Sequence, residues 1–340
     1  MHKEIVVGIT AGDPAGIGPE VVCKALSHIS LPNFVPVVIG TSSLISQYIG
    51  LSKLQICDIN GLEVEGRQGF LLPRGNNKIL LLNLTLPSKV RIKLGKPQRA
   101  AGLLSYLYIK EGVKLATEGK VDGIVTAPIC KEALHLAGIK FIGHTEMLAK
   151  LTNSSPEMLM LNKEMRIILV TRHLPLSDVG KVLTVKRVYK VTLSGIKAMR
   201  ELFNIEMPRV AVCGFNPHAG ERGILGKEEK IISSAVKKLL LEGYRVEGPL
   251  PADSVFHPRK RQNYDLIVAM YHDQAMLPLK STSPESIVNL TVGLPFIRTS
   301  PGHGTAYDIA GKNIADPRPM IEAINVAYNL IKRIKSHRRN

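Results

Sequence analysis

The sequence predicts an α/β protein of two α/β/α layered domains with mostly parallel sheets and a cleft between them. Three observations carry that prediction. Short apolar runs recur along the chain and stop at polar side chains, as strands do when both faces of a parallel sheet are covered. Segments of helical periodicity stand between them, closed by glycines at 119, 138 and 243. The 340 residues, 45% of them hydrophobic, suffice for two domains with cores of their own. Strand and helix alternate throughout, which selects α/β layers.

In order, residues 5–10 read as a buried strand that runs into Ala11-Gly-Asp-Pro-Ala-Gly-Ile-Gly-Pro-Glu20, after which Val21, Val22, Ala25 and Leu26 begin a helical stripe. Pro19 suits a first helical turn. This loop is open to two readings, an anion-binding strand-loop-helix or a tight turn that needs glycine dihedrals. It matches neither GxxxxGK[ST] nor GxGxxG, which excludes a P-loop and an ordinary Rossmann fingerprint. Residues 35–39 and 78–84 follow as strands, joined by a Gly/Asn-rich connection over 61–77. Residues 98–118 form a helix, 123–125 a strand, and Pro128 opens a helix over 129–136. Phe141-Ile-Gly-His-Thr-Glu146 then places a polar trio before another helix. There His144 and Thr145 suit a phosphate, or Thr145 simply caps the helix.

Three later strands share one feature. Residues 166–170 lead into Thr171, Arg172 and His173, residues 210–212 lead through Cys213 and Gly214 to His218, and residues 266–270 lead into Tyr271, His272, Asp273 and Gln274. Sites in open α/β sheets gather at such strand ends. One histidine there is ordinarily structural; three suggest a metal, because imidazole suits zinc and its neighbours and three nitrogens leave positions open for substrate. Tyr189, Leu193, Ile196, Met199 and Phe203 recur at helical spacing as a core stripe, and residues 228–242 form a further helix. Lys280, Asn289 and Arg298 are candidate anion binders, the last because apolar neighbours would desolvate its guanidinium.

Forty-five lysines and arginines against 28 acidic residues give a formal charge of +17. The dense basic patches are 259–261 and the tail 332–339, and with 5% aromatics and no tryptophan there is little for bases to stack on. Nucleic-acid binding is rejected in favour of a solvated basic surface that draws anionic substrates inward. The N-terminal stretch MHKEIVVGIT carries neither a cleavable signal nor a membrane span, as expected of a cytoplasmic protein with no membrane partner. Cys23, Cys57, Cys130 and Cys213 form no CxxC pair and read as reduced, buried thiols.

Seven motifs in chain order carry a resemblance across nearly the whole sequence. GITAGDPAGIGPE (8–20), TAPICKEAL with FIGHTE (126–146), TRHLPL (171–176), GFNPHAGE (214–221), GPLPADSVF (248–256), YHDQAMLPLK (271–280) and VNLTVGLPFIRTS (288–300) resemble the 4-hydroxythreonine-4-phosphate dehydrogenase family of pyridoxal phosphate biosynthesis. Residues 302–317, GHGTAYDIAGKNIADP, resemble the cofactor loop of the isocitrate and isopropylmalate dehydrogenases, whose fold that family is similar to. The resemblance implies that His173, His218 and His272 bind one divalent cation per site, zinc first, with magnesium or cobalt as alternatives. It implies that His144, Thr145, Lys280, Asn289 and Arg298 hold a phosphorylated substrate, and that His303, Gly304, Asp308, Ile314 and Asp316 line the dinucleotide. An acid at Asp308 goes with NAD rather than NADP, since a carboxylate accepts hydrogen bonds from a ribose 2′-hydroxyl and repels a 2′-phosphate. A homodimer with shared active sites is also implied.

The implied reaction is NAD-dependent oxidation of 4-phosphooxy-L-threonine to 2-amino-3-oxo-4-(phosphooxy)butanoate, which loses CO2 to give 3-amino-2-oxopropyl phosphate on the route to pyridoxine 5′-phosphate. Lys280, Asp253 and Asp273 are the candidate catalytic groups, the aspartates as ligand orienters or proton acceptors. Two departures bear on substrate choice: Gly302 stands where many members have Asp, and Asp316 where the decarboxylating dehydrogenases usually have Asn. Relatives that oxidise D-threonate or D-erythronate 4-phosphate therefore stay in contention. A metal-dependent phosphohydrolase would also use histidines and basic clamps, but it usually needs two metals with bridging carboxylates and leaves the 302–317 loop without a role. The expected domains are 1–130 with 285–340, carrying that loop, and 131–284, carrying the metal histidines.

Overall fold

Val7 and Ile9 are wholly buried in the first strand, and burying side chains of this size contributes about 1.5–3 kcal/mol each. Around that strand a computed structural model describes residues 4–49, 55–57, 69–74, 77–86, 91–141 and 143–337. The chain forms two units, residues 1–155 with 294–340, and residues 156–293. The first unit opens with β1 (Ile5–Thr10), α1 (Gly18–His28), β2 (Phe34–Gly40), α2 (Ser42–Ile49), β3 (Gln55–Cys57), β4 (Gly69–Arg74) and β5 (Asn77–Asn83). It continues with α3 (Arg99–Thr117), β6 (Gly123–Thr126), α4 (Lys131–Leu136) and α5 (His144–Thr152). The second unit holds β7 (Glu157–Leu161), β8 (Arg166–Leu169), α6 (Leu176–Val182), α7 (Val185–Phe203), β9 (Val210–Cys213), α8 (Glu228–Leu241) and β10 (Val246–Leu250). It ends with α9 (Ala252–Val255), α10 (Pro258–Arg261), β11 (Leu266–Ala269), α11 (His272–Thr282) and β12 (Val288–Val292), and the chain returns to the first unit as β13 (Ile297–Pro301) and α12 (Arg318–His337).

In the first unit the strand order is β13-β6-β1-β2-β5-β4-β3, parallel from β13 to β5 and antiparallel through β4 and β3. Helix α3 packs across β1, β2 and β6, and α12 across β13, β6 and β1. Register sets Thr10 beside Thr126 and Arg298 beside Ile124, so Arg298 lies in the sheet next to the strand that ends in Thr126. In the second unit the order is β10-β9-β11-β8-β7-β12, parallel from β10 to β8 and antiparallel beyond. Its core joins Ile167, Leu169, Ala211, Ile267 and Ala269 from the strands to Met158, Met160, Met165 and Met276. Unbranched methionines fill the irregular gaps between sheet and α11.

The predicted class, α/β with a mostly parallel sheet, is the class observed. Details differ. The unit limits fall at 155/156 and 293/294, not at the 130/131 and 284/285 expected from the sequence, because α5 packs on α3 and β12 pairs with β7. The buried face of α7 is centred on Val188, Val191, Thr192, Ile196 and Met199, with Tyr189, Leu193 and Phe203 at its half-buried margin. The Gly/Asn-rich connection contains a strand, β4, while its residues 61–68 and 75–76 lie outside the described residues. The basic tail rides on α12 as far as His337. Cys23 and Cys213 are buried free thiols, Cys130 is half-buried, and the Cys57 side chain lies outside what is described. Among the described residues no helix is long and apolar enough to cross a membrane.

Candidate functional site

In the second unit, β9, β11 and β8 are consecutive parallel neighbours, and their carboxyl ends lead to His218, His272 and His173 respectively. Three histidines far apart in sequence thus issue from one edge of the sheet. Polar side chains lace these strand ends together. The buried Gln274 accepts from Met270 N at 2.6 Å and donates to Gly214 O at 2.8 Å, which ties the end of β11 to that of β9. Thr171 Oγ1 donates to Met270 O at 2.7 Å, which ties β8 to β11. Arg187 forks onto Glu157 at 2.6 and 2.7 Å and donates Nε to Val170 O, a bidentate pair that orients the same corner. Glu229 accepts from the amides of Phe215 and Asn216 at 3.0 and 2.7 Å, fixing the turn before His218. None of these five residues was given a functional role from the sequence; Thr171 and Gln274 lay inside quoted motifs, next to the strand-end histidines.

The His173 and His272 rings lie 5.5 Å apart, centroid to centroid. His272 Nδ1 is 2.7 Å from Asp273 Oδ1, and His218 Nδ1 is 2.8 Å from Glu221 Oε1. A carboxylate on Nδ1 holds the proton there and leaves Nε2 as the basic nitrogen, the arrangement that metal-ligating histidines use. In donor chemistry these residues fit a divalent cation. In position they are incomplete: among the described residues no three His, Cys, Asp or Glu side chains gather around one point able to hold an ion. After β9, His218 to Arg222 all take left-handed backbone angles, and the exposed His218 ring lies against Glu221. Non-glycine residues cost about 1–2 kcal/mol each in that region, so this turn is the strained part of the edge.

Asp273 is therefore committed to His272, whereas Asp253, in the first turn of α9, is exposed. Lys280, in the last turn of α11, is exposed as well. Asn289, in β12, buries its Oδ1 without a hydrogen-bond partner.

In the first unit Arg298 is fully buried and donates to Thr126 Oγ1 through Nη2 at 2.6 Å and Nε at 3.2 Å. Burial lowers its pKa from the ordinary guanidinium range to about 9. His144 and the buried Thr145 open α5, and His144 Nε2 is buried with no hydrogen-bond partner. Desolvation first, and the Arg298 charge second, hold His144 well below the usual histidine range, so the ring is neutral at physiological pH. A desolvated cation beside a neutral imidazole at a helix N-terminus has the chemistry of an oxyanion receptor.

The same unit carries residues 302–317. His303 Nδ1 is 3.0 Å from Gly304 O, and its Nε2 is buried without a partner. Gly304 and Asp308 are exposed and Ile314 is 64% exposed, so a carboxylate and an apolar side chain face outward on one loop. That combination fits a nucleoside, whose ribose offers hydroxyl donors and whose base offers an apolar face. Asp316 is otherwise engaged: it accepts from Arg318 N at 2.9 Å and from the Arg318 guanidinium, which lowers its pKa and caps α12. The Asp-Pro-Arg spelling ahead of a helical stripe was the available signal for that cap.

Residues 33–327 match the family described as pyridoxal phosphate biosynthetic protein PdxA. The chain is 41% identical over 351 residues to D-threonate 4-phosphate dehydrogenase of Cupriavidus necator, covering 96% of this chain and 98% of that protein. It is 37% identical over 333 residues to 4-hydroxythreonine-4-phosphate dehydrogenase of a Sulfurihydrogenibium species, covering 97% and 99%. The crystal structure of 4-hydroxythreonine-4-phosphate dehydrogenase from Klebsiella pneumoniae superposes with a TM-score of 0.83 at 36% identity, over 96% of this chain and 100% of that one. With the family matched across most of its length and relatives aligned from end to end, the chain belongs to the PdxA family and is an enzyme, a 4-phosphate dehydrogenase.

Proposed function

We propose that this enzyme oxidises the C3 hydroxyl of a four-carbon 4-phosphate with NAD and a divalent cation, and that the 3-oxo acid formed then loses CO2. The observation that carries the reading is the set of three histidines issuing from adjacent parallel strands, two of them with Nδ1 held by a carboxylate. When bound, the cation supplies Lewis acidity that lowers the pKa of the substrate hydroxyl, and NAD supplies the hydride acceptor. His173, His218 and His272 would hold the cation, zinc first, with magnesium or cobalt as alternatives. Asp273 keeps His272 Nε2 available by occupying Nδ1. His144, Thr145 and Arg298 bind the phosphate, with Lys280 and Asn289 completing the substrate contacts. Asp253, exposed, is the candidate to accept the hydroxyl proton, with Asp273 assigned to orientation. His303, Gly304, Asp308 and Ile314 line the dinucleotide, and the enzyme works as a homodimer in the cytoplasm.

The lead substrate is 4-phosphooxy-L-threonine, in the formation of pyridoxine 5′-phosphate. D-Threonate 4-phosphate is the second reading, favoured by the 41% identity to the Cupriavidus necator enzyme and by Gly302. Metal-replete and metal-stripped enzyme should be offered both compounds while NADH absorbance is followed. NADH formed only with metal, and faster with one compound, assigns the substrate; release of inorganic phosphate without NADH would replace the dehydrogenase reading by a hydrolase.

A further inference from the structure

The sequence leaves the Gly12 to Glu20 turn with two readings, and the structure favours the tight packing turn. An anion held by this turn would need free amide hydrogens. Ala15 N already donates to Asp13 Oδ1 at 2.8 Å, Gly16 N to Asp13 O at 3.1 Å and Ile17 N to Thr305 O at 3.0 Å, while Pro14 and Pro19 have no N–H. Gly18 packs so closely on Ala11 O that a Cβ there would stand 2.4 Å from it. These amides are thus committed inside the protein, and the small residues of the turn serve close packing.

Its outward contacts go instead to the 302–317 loop. Tyr307 Oη donates to Asp13 Oδ2 at 2.7 Å, and Asp13 is wholly buried. Gly16 lets the loop in, since a Cβ there would stand 2.6 Å from Thr305 O. At the far end Ala315 N donates to Glu20 Oε1 at 2.8 Å. Lys24, paired with that same carboxylate at 2.8 Å, donates to Asn313 O at 2.8 Å and Ala315 O at 3.2 Å. Glu20 is wholly buried and sits one helical turn before Lys24 on α1. The gripped groups flank the outward ones: Thr305 O and Tyr307 Oη are held just before the exposed Asp308, and Asn313 O and the buried Ala315 on either side of Ile314, which is 64% exposed.

We infer that Asp13, Glu20, Lys24 and Tyr307 are positioning residues that clamp the 302–317 loop at two points and so preset Asp308 and Ile314 for the dinucleotide. The inference rests on the reading of that loop as the NAD site. A clamp of this kind acts on affinity: if the loop holds its binding geometry a tenth of the time, the apparent Kd rises about tenfold.

The test uses full-length, metal-replete enzyme and the variants Tyr307→Phe, Lys24→Met and Lys24→Arg, with NAD titrated calorimetrically and the amides of 303–315 followed by hydrogen exchange. Tyr307→Phe and Lys24→Met should each raise Kd and KM for NAD about tenfold, leave KM for the phosphorylated substrate within about twofold, and speed exchange across the loop. Lys24→Arg, which keeps a cationic donor, should recover most of the NAD affinity. Unchanged NAD affinity and unchanged loop exchange in both variants overturn the inference, as does an equal rise in both KM values. Wild-type enzyme that binds no NAD sinks the cofactor reading itself, whereas wild-type binding matched by both variants sinks only the clamp.

Discussion

Arg298 makes the sharpest test because its burial sets function against stability. A guanidinium brought down from its ordinary range to about 9 by desolvation carries a penalty on the order of 5 kcal/mol in the charged form. Its sign with pH is fixed: the folded chain keeps the proton only to about pH 9 and the unfolded one well beyond it, so the penalty is complete below pH 9 and shrinks as pH rises above that. Hydrogen bonds of the guanidinium, those to Thr126 among them, offset part of it, and exchange of buried paired ions for hydrophobes of similar volume is neutral or stabilising, by about 1–4 kcal/mol in the favourable cases. We take about 2 kcal/mol for Arg298→Met, which in a unit of about 200 residues corresponds to a Tm higher by about 4–8 °C. Ligand response should move the other way. Substrate at 100 times Kd stabilises wild type by about 2.7 kcal/mol, and the variant should lose that response together with measurable turnover. Thermal melts at pH 7.5 with and without substrate decide it. An Arg298→Met protein with a lower ligand-free Tm, still raised by substrate as in wild type, would refute both the desolvation argument and the phosphate role.

His144 titrates below its ordinary 6.5 in the folded state, so the unfolded chain takes up the proton first and the stability due to the neutral ring is complete above about pH 6.5 and drains away below it. His144→Asn should therefore lose less stability than wild type between pH 7 and pH 5, read from urea midpoints; parallel losses would contradict the assignment. His272→Ala should remove bound metal and NADH formation while leaving the unfolding midpoint within about 1 kcal/mol, because the ring is only partly buried. Full metal stoichiometry in that variant would exclude His272 as a ligand. Asp308→Ser should cut the NAD-to-NADP ratio of kcat/KM by roughly tenfold or more, the value of about 1.4 kcal/mol of lost repulsion and hydrogen bonding; an unchanged ratio removes Asp308 from the ribose site.

What the sequence could and could not say follows from which forces are local. The strands that end in His173, His218 and His272 were legible, because an apolar run that stops at polar residues is a local pattern. Their order was not. That β9, β11 and β8 lie side by side depends on pairing between segments far apart in sequence, and nothing in any one strand encodes its neighbour. The same distinction covers the polar lacing. Gln274 is an ordinary residue in its motif until Gly214 and Met270 are brought to its two ends.

The Gly12 to Glu20 turn shows how a local reading can be right in geometry and silent on purpose. Glycine was needed there, as the positive φ of 71° at Gly12 and the backbone contacts of Gly16 and Gly18 show. What the turn was for could not be read from those glycines, because an anion nest and a packing joint need the same small residues. What separates the two is the burial of Glu20 in the fold. Glu20 and Lys24 stand four apart, and a carboxylate one turn into a helix beside an anion site would repel the very ligand the turn was built to hold. A wholly buried Glu20 is tolerable only if cations and amides meet it, and both come to it here, from Lys24 on its own helix and from Ala315 on the loop. The charge pattern of α1 thus argued for a partner segment of chain and against an anion.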